Sequence, residues 1–497
     1  MTSTDEQQAP PRSLGSSVTR ALGWSTLAQI LGRVFNLGVG LVLARLLTKE
    51  DFGVYAVALV AINLLIVVND LGIISAIIRW QGDVRKVAGT AATVSLVFSA
   101  FVFAAAFAAA PAFAEAMGSP EATNMVRVIA VAILVDGWSA VPQAVIVREF
   151  RNDRLALAEL GGFFAGVPVT IGLALAGAGP WSIVAGRVVT AVVVAAIVFI
   201  SAPFRVRPSY DRADAVALVR FGAPLALSAV VAQAVLNVDY IVVGRTLGAE
   251  DLGVYLLAFN LSSWPANIIT TAVARVAFAG FSRLAEDRSR LATAIPRAIG
   301  VAIAVLVPMV TTLAVLAPEV IEFLYGKKWA PAATPLRFLL ILGGMRIVMD
   351  LLVDLTIADG RPRTALAVRS VWLVAVVPAL VVGAEADGLR GVGVAHVLVA
   401  GVVVLPLLLL DARRSGVRPV DLGRQAVRPL LSGAAATAAA VAAVPLVPGV
   451  VPRLVVAGAA GGVAYLVTFV PRNPLVTWVA DRVRPGRRAR TGPAEES

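Results

Sequence analysis

The sequence predicts an all-α polytopic membrane protein of about fourteen transmembrane helices. They are arranged as two parallel six-helix lobes followed by two C-terminal helices. Three observations predict this: apolar runs of bilayer length, an uneven distribution of arginine, and one segment written twice. The segments LARLLTKEDFGVYA (Leu43–Ala56) and VGRTLGAEDLGVYL (Val243–Leu256) align at an offset of 200 residues. Arg45 matches Arg245, Glu50-Asp51 matches Glu250-Asp251, and Gly53-Val54-Tyr55 matches Gly253-Val254-Tyr255. Each copy sits between two apolar runs at the same place in its half. The halves therefore share an orientation, as in transporters built of parallel repeats that handle substrate near mid-membrane.

Composition sets the class. Of 497 residues, 59% are hydrophobic and 15% charged, and the mean hydropathy is +0.85. A soluble chain of this length needs a polar exterior that this sequence cannot supply. Runs of roughly 20 apolar residues match the hydrocarbon thickness of a bilayer. In order they are expected at 22–44, 53–75, 87–110, 126–147, 157–177, 181–201, 220–243, 253–275, 295–317, 333–357, 364–383, 389–410, 428–448 and 452–471.

These runs divide the chain into a polar cytosolic N-terminus (1–20), a first lobe (21–202), a cytosolic linker (203–216) and a second lobe (217–410). A cytosolic loop (411–427), the last two helices (428–471) and a basic cytosolic tail (472–497) follow. The first 20 residues lack the charged-then-apolar layout of a cleavable signal, so the first helix is expected to act as its own insertion signal. The chain has no cysteine, which excludes disulfides and thiol ligands. Its alanine-, valine- and arginine-rich wording suggests a high-GC bacterial genome, and hence a bacterial plasma membrane.

Orientation follows from the basic residues. With both termini in the cytosol, about 25 lysines and arginines fall on inner segments and about seven on outer ones, the asymmetry of the positive-inside rule. The net charge of +12 is thereby explained by topology, and no nucleic-acid partner is expected. A cysteine at Ser119 is expected to label from outside, and one at Ser209 only from inside.

Charges within the apolar runs are the candidate site residues, because each costs about 2.5–3.5 kcal/mol on insertion scales. Arg33 falls in the middle of the first run, with Asp136 central in the fourth as its alternative static partner. Arg346, Asp350 and Asp354 stand at i, i+4 and i+8 on the tenth run and so share one helical face. Arg187 and Arg369 add positive charge nearer span ends, and Asp239 lies near the outer end of the seventh run. The arginines suit an anionic group, because a guanidinium presents paired donors to phosphate. The aspartates Asp350, Asp354, Asp136 and Asp239 suit coupling to H+ or Na+, or else static ion pairing. In the repeated outer turn, Asp51 and Asp251 are placed to cap the helices that follow, beside Gly53 and Gly253. Arg45 and Arg245 are placed to reach outer headgroups. The alternative for these turns is an outer gate. Trp24, Trp80, Trp181, Trp329 and Trp478 are expected to anchor span ends at the interface.

The opening WSTLAQILGRVFNLGVGLVLARLLTKEDFGVYA, the continuation NDLGIISAIIR (Asn69–Arg79) and YGKKWAPAATPLRFLLILGG (Tyr325–Gly344) resemble polysaccharide flippases. These are the Wzx-type O-antigen and exopolysaccharide transporters of the multidrug/oligosaccharidyl-lipid/polysaccharide exporter superfamily. The resemblance runs from about residue 20 to 410. It implies a central cavity between two lobes that opens alternately to each side. It also implies a polyprenyl-pyrophosphate-linked oligosaccharide as substrate, carried from the inner to the outer leaflet. Membrane lipids and the polysaccharide polymerase or export machinery are the partners it implies.

No GxxxxGK[ST] loop and no metal-ligand cluster occurs in the sequence, so no resident cofactor is expected. A multidrug exporter or a peptidoglycan-precursor flippase of the same superfamily is the nearer alternative. A membrane glycosyltransferase or polymerase is the more distant one, since no outer segment exceeds about fifteen residues and such enzymes carry a sizeable catalytic loop.

Overall fold

The computed structural model describes residues 38–70, 72–265, 288–359 and 361–470, and among these every regular element is helical. The chain forms two compact units, residues 1–253 and 254–497.

In the first unit a short helix, α1 (38–46), precedes α2 (Lys49–Asn69) and α3 (Ile73–Arg79). Four long helices follow: α4 (Val84–Ala116), α5 (Thr123–Arg148), α6 (Asn152–Leu175) and α7 (Trp181–Ser201). The unit is completed by α8 (Arg212–Leu247) and the start of α9 (249–265). Small residues let these helices approach closely, as expected where lipid provides no hydrophobic drive between helices. On α6, a Cβ at Gly166 would fall 2.0 Å from Thr190 Oγ1 of α7. One at Gly186 of α7 would fall 1.8 Å from Thr170 Oγ1 of α6. Between α4 and α5, Ser95 donates to the Gly137 carbonyl at 2.8 Å.

Arginines close several helix ends of this unit. Arg148 donates to the carbonyls of Ile77 (2.9 Å) and Ile78 (2.8 Å), which end α3, and Arg154 donates to the Ser201 carbonyl at the end of α7. The linker after α7 lies along α4, with the Ser209 amide on the Gly89 carbonyl (3.2 Å) and Thr93 on the Ser209 carbonyl (2.7 Å).

In the second unit, α10 (Arg288–Val315) and α11 (Ala317–Tyr325) lead to α12 (Ala333–Ala358). Helix α13 (Pro362–Leu398) breaks at Asp387 and Gly388 (φ 54°), a turn that needs the freedom of glycine. It continues through a π-turn (Val399–Val404) into α14 (Leu405–Ala412). Helices α15 (Pro419–Ala443) and α16 (Val450–Phe469) end the described chain. They pack on the unit through Gly433, whose Cβ would lie 2.2 Å from Val307 Cγ1, and Gly461, 3.2 Å from the Ala436 carbonyl oxygen.

Nine helical runs among the described residues are long and apolar enough to cross a membrane, and one of them, Arg363–Ser415, carries two of the expected spans. The spans expected at 220–243 and 333–357 also form long helices, α8 and α12, with charges inside their apolar stretches. Trp329, expected at the lipid interface, is instead fully buried, in the 3-10 turn Lys327–Ala332. Burial also pushes the phenol of Tyr325, four residues before it, up to about 12.

One ionic knot ties the end of α12 to the start of α13 and the end of α14. Asp411 is 6% exposed and accepts from Thr356 Oγ1 at 2.9 Å while pairing with Arg361. Arg361 also reaches Asp359 (3.1 Å) and donates to Ser415 Oγ (2.6 Å). Removing one partner of a buried pair strands the other, at a cost of about 3–5 kcal/mol. Asp411→Ala is therefore expected to lower the thermal unfolding midpoint of the purified protein markedly. Asp411→Asn, which keeps the Thr356 bond, is expected to lower it less.

Candidate functional site

Three arrangements bring the charged residues of the apolar runs and the repeated turns together. The first joins the two copies of the repeated motif. Thr48 caps α2, and its side chain and that of Asp51 bond reciprocally to each other's backbone amides, forming a capping box. Asp51 thus acts from the third helical position rather than as the cap itself. The counterpart of Thr48 is Gly248, at φ 87° and ψ 178° before α9. The two helix starts then meet at their glycines. A Cβ on Gly53 would lie 2.1 Å from the Ala249 carbonyl oxygen, and one on Gly253 would lie 2.7 Å from the Gly53 nitrogen. Lys49 and Glu250 pair across the contact at 3.1 Å. Gly179, before α7, also closes on this turn, its Cβ position 3.0 Å from Asp51 Oδ1. Arg45 and Arg245 are exposed on the helices that precede the two turns.

The second arrangement lies inside the first unit. Asn69, at the end of α2, donates from Nδ2 to the Ile133 carbonyl and to Asp136 Oδ2, both at 3.3 Å. Asp70 and Arg187 lie within electrostatic reach of Asp136, and Arg187 also within reach of Tyr55. Asp136 is about 20 Å along α5 by helical rise, so this column of polar groups sits at mid-span. Arg33, expected as an alternative partner of Asp136, lies outside the described residues.

The third lies inside the second unit. Arg346, Asp350 and Asp354 follow one another along a continuous α12, and Arg369 of α13 comes within electrostatic reach of both aspartates. Among the described residues no ion pair within 4 Å joins these four. Asp350, Asp354 and Arg369 are exposed and Arg346 is half-buried. Charges on an open helix face at this depth belong against water or a polar ligand, since facing lipid tails is costly.

Asp239 is 2% exposed near the end of α8, where it accepts from the Tyr240 amide at 3.0 Å. Sequence reasoning passed over Asn69, a neutral residue in an apolar run, and Asp411, whose partner Arg361 is 50 residues distant.

Residues 42–334 match a family model described as "Polysaccharide biosynthesis protein". The succinoglycan biosynthesis transport protein ExoT of Rhizobium meliloti (strain 1021) is 27% identical over 329 residues, covering 66% of this chain and 67% of that protein. The lipopolysaccharide biosynthesis protein WzxC of Escherichia coli (strain K12) is 23% identical over 382 residues, covering 76% and 77%. Among solved structures, the lipid II flippase MurJ in an inward closed conformation superimposes with a TM-score of 0.75 at 13% identity, covering 93% of this chain and 99% of that one. An inward-facing multidrug resistance MATE family transporter of the MOP superfamily superimposes with a TM-score of 0.62 at 19% identity, covering 80% and 98%. At these identities the two structures establish the shared fold.

Proposed function

Because the chain belongs to the polysaccharide biosynthesis protein family, we propose that it carries a polyprenyl-pyrophosphate-linked oligosaccharide from the inner to the outer leaflet of the bacterial plasma membrane, by alternating access, for polysaccharide export. The observation that carries this reading is the likeness, over 66% and 76% of the chain, to proteins named for succinoglycan transport and lipopolysaccharide biosynthesis. Arg346 and Arg369 support the anionic part of it. Two guanidiniums on an open face at membrane depth offer paired donors to a pyrophosphate. Arg187, within electrostatic reach of Asp136, supplies positive charge in the first unit. The work is transport rather than bond-making, driven by an H+ or Na+ gradient. Membrane lipids solvate the polyprenyl tail, and the polymerase or export machinery receives the sugar.

The test is a gene deletion followed by analysis of lipid extracts. The reading expects lipid-linked oligosaccharide to accumulate and surface polysaccharide to disappear, with both restored by the intact gene. Unchanged surface polysaccharide and unchanged lipid intermediates overturn it.

Both termini face the cytosol in this proposal. Ser119 is fully buried and cannot report on the outer face. Exposed Glu121, two residues on, takes its place. Glu121→Cys is expected to react with an impermeant thiol reagent in intact cells, and Lys86→Cys only after permeabilisation. The reverse pattern inverts the topology.

A further inference from the structure

The polar column of the first unit contains acceptors that no donor among the described residues satisfies. Asn69 is 2% exposed, and with Nδ2 committed to Ile133 and Asp136 its Oδ1 is buried without a donor. The next residue, Asp70, accepts from the Ile74 amide, yet its Oδ1 is also buried without a donor. Asp136 lies on the other side of the Asn69 amide and within electrostatic reach of Asp70. An acceptor buried without a partner costs about 1–3 kcal/mol. Two carboxylates held near each other at low dielectric add mutual repulsion.

A bound water would donate to these oxygens but leave the repulsion in place. A hard cation relieves both defects, because such ions take oxygen ligands from carboxylates and amide carbonyls. Charge selects its valence. Among the described residues, Asp70 and Asp136 contribute two negative charges, and Arg187, within reach of Asp136, offsets one. The remainder matches a single positive charge, whereas a divalent ion leaves an excess in a medium that penalises it.

We propose that Asn69 Oδ1, Asp70 Oδ1 and the Asp136 carboxylate form a sodium-binding site. The proposal rests on the transport reading in that the ion is the one whose gradient drives it.

Sodium binding to the folded chain stabilises it by mass action. The purified full-length protein in detergent is expected to unfold at a higher temperature as sodium chloride rises. The effect should saturate, and choline chloride at matched ionic strength should not reproduce it. Radioactive sodium should bind with the same half-saturation. Asn69→Leu and Asp136→Asn should each raise that half-saturation by about tenfold or more, since even groups behind a metal ligand change affinity by this much. Glu121→Gln, on the exposed outer turn, should not change it.

Identical unfolding in sodium and choline with no sodium bound overturns the site, as does an unaltered sodium response in both variants. Stabilisation by acidification alone also overturns it, in favour of a proton. If the variants fail to fold, sodium binding by the wild type still decides the matter. A chain that binds no sodium yet clears lipid-linked oligosaccharide in cells loses this site and keeps its transport role. One that binds sodium without clearing them does the reverse.

Discussion

Gly53→Ala is expected to abolish polysaccharide export while the protein remains inserted and abundant. At Gly53 the first atoms a Cβ would meet are the carbonyl oxygen and carbon of Ala249, at 2.1 and 2.5 Å, with the Glu250 nitrogen at 3.0 Å. All are backbone, so no side-chain rotation relieves the clash and the two helix starts must part. Overpacking of this kind costs about 1–3 kcal/mol. If the paired turns close the outer side in one state of the transport cycle, that cost falls on the closed state alone and shifts its population about 5- to 150-fold. Gly253→Ala, whose Cβ would lie 2.7 Å from the Gly53 nitrogen, is expected to behave alike. Lys49→Ala provides the contrast. Its pair with Glu250 is 29% and 53% exposed on the two sides, and pairs of this kind contribute about 0.2–1 kcal/mol. Export by Lys49→Ala should stay within about threefold of wild type. Wild-type export by both alanine variants at the glycines would make these turns scaffold rather than gate.

Arg346→Gln is the second variant expected to stop export. Arg346 lies about 20 Å along α12 by helical rise; Asp350 is within its electrostatic reach, and Arg369 is within reach of the same carboxylate. A hydrogen bond from a charged group contributes about 1.5–3 kcal/mol, so losing a bidentate guanidinium contact should weaken transport by one to two orders of magnitude. Arg346→Lys keeps the charge and loses the planar fork, and should recover export in part. Arg369→Gln should reproduce the loss. A merely structural arginine, present to neutralise Asp350, predicts something else. In that case the double change Arg346→Gln with Asp350→Asn restores export, because no unpaired acid remains. The anion-binding role predicts that the double variant stays inactive.

Much of this was legible in the sequence, for physical reasons. Membrane-spanning helices announce themselves by length and hydropathy, and i, i+4, i+8 spacing fixes a shared face without knowledge of any neighbour. Arg346, Asp350 and Asp354 therefore share a face by their spacing on one continuous helix, α12. Arg369 could not be added to them, because its approach depends on how α13 lies against α12. The repeated motif identified equivalent places in two halves but not that the copies touch. Its glycines matter through what their missing side chains admit, which only the neighbouring helix defines. Asp51 reads as a cap from its place beside Gly53 at a helix start, and the structure gives that role to Thr48, with Asp51 completing the box. Trp329 read as an interface anchor because it ends an apolar run, yet it is buried in its own unit.

Leaflet location of the lipid-linked oligosaccharide tests the central claim most directly. Spheroplasts from cells with and without the protein are treated with an impermeant reagent that oxidises sugars, and the modified fraction of lipid-linked oligosaccharide is then measured. With the protein present and polymerisation blocked, the account predicts that most of the pool is modified from outside. Without it, or with Arg346→Gln in its place, the pool should be protected until the membrane is opened. An equal modified fraction with and without the protein would contradict the account.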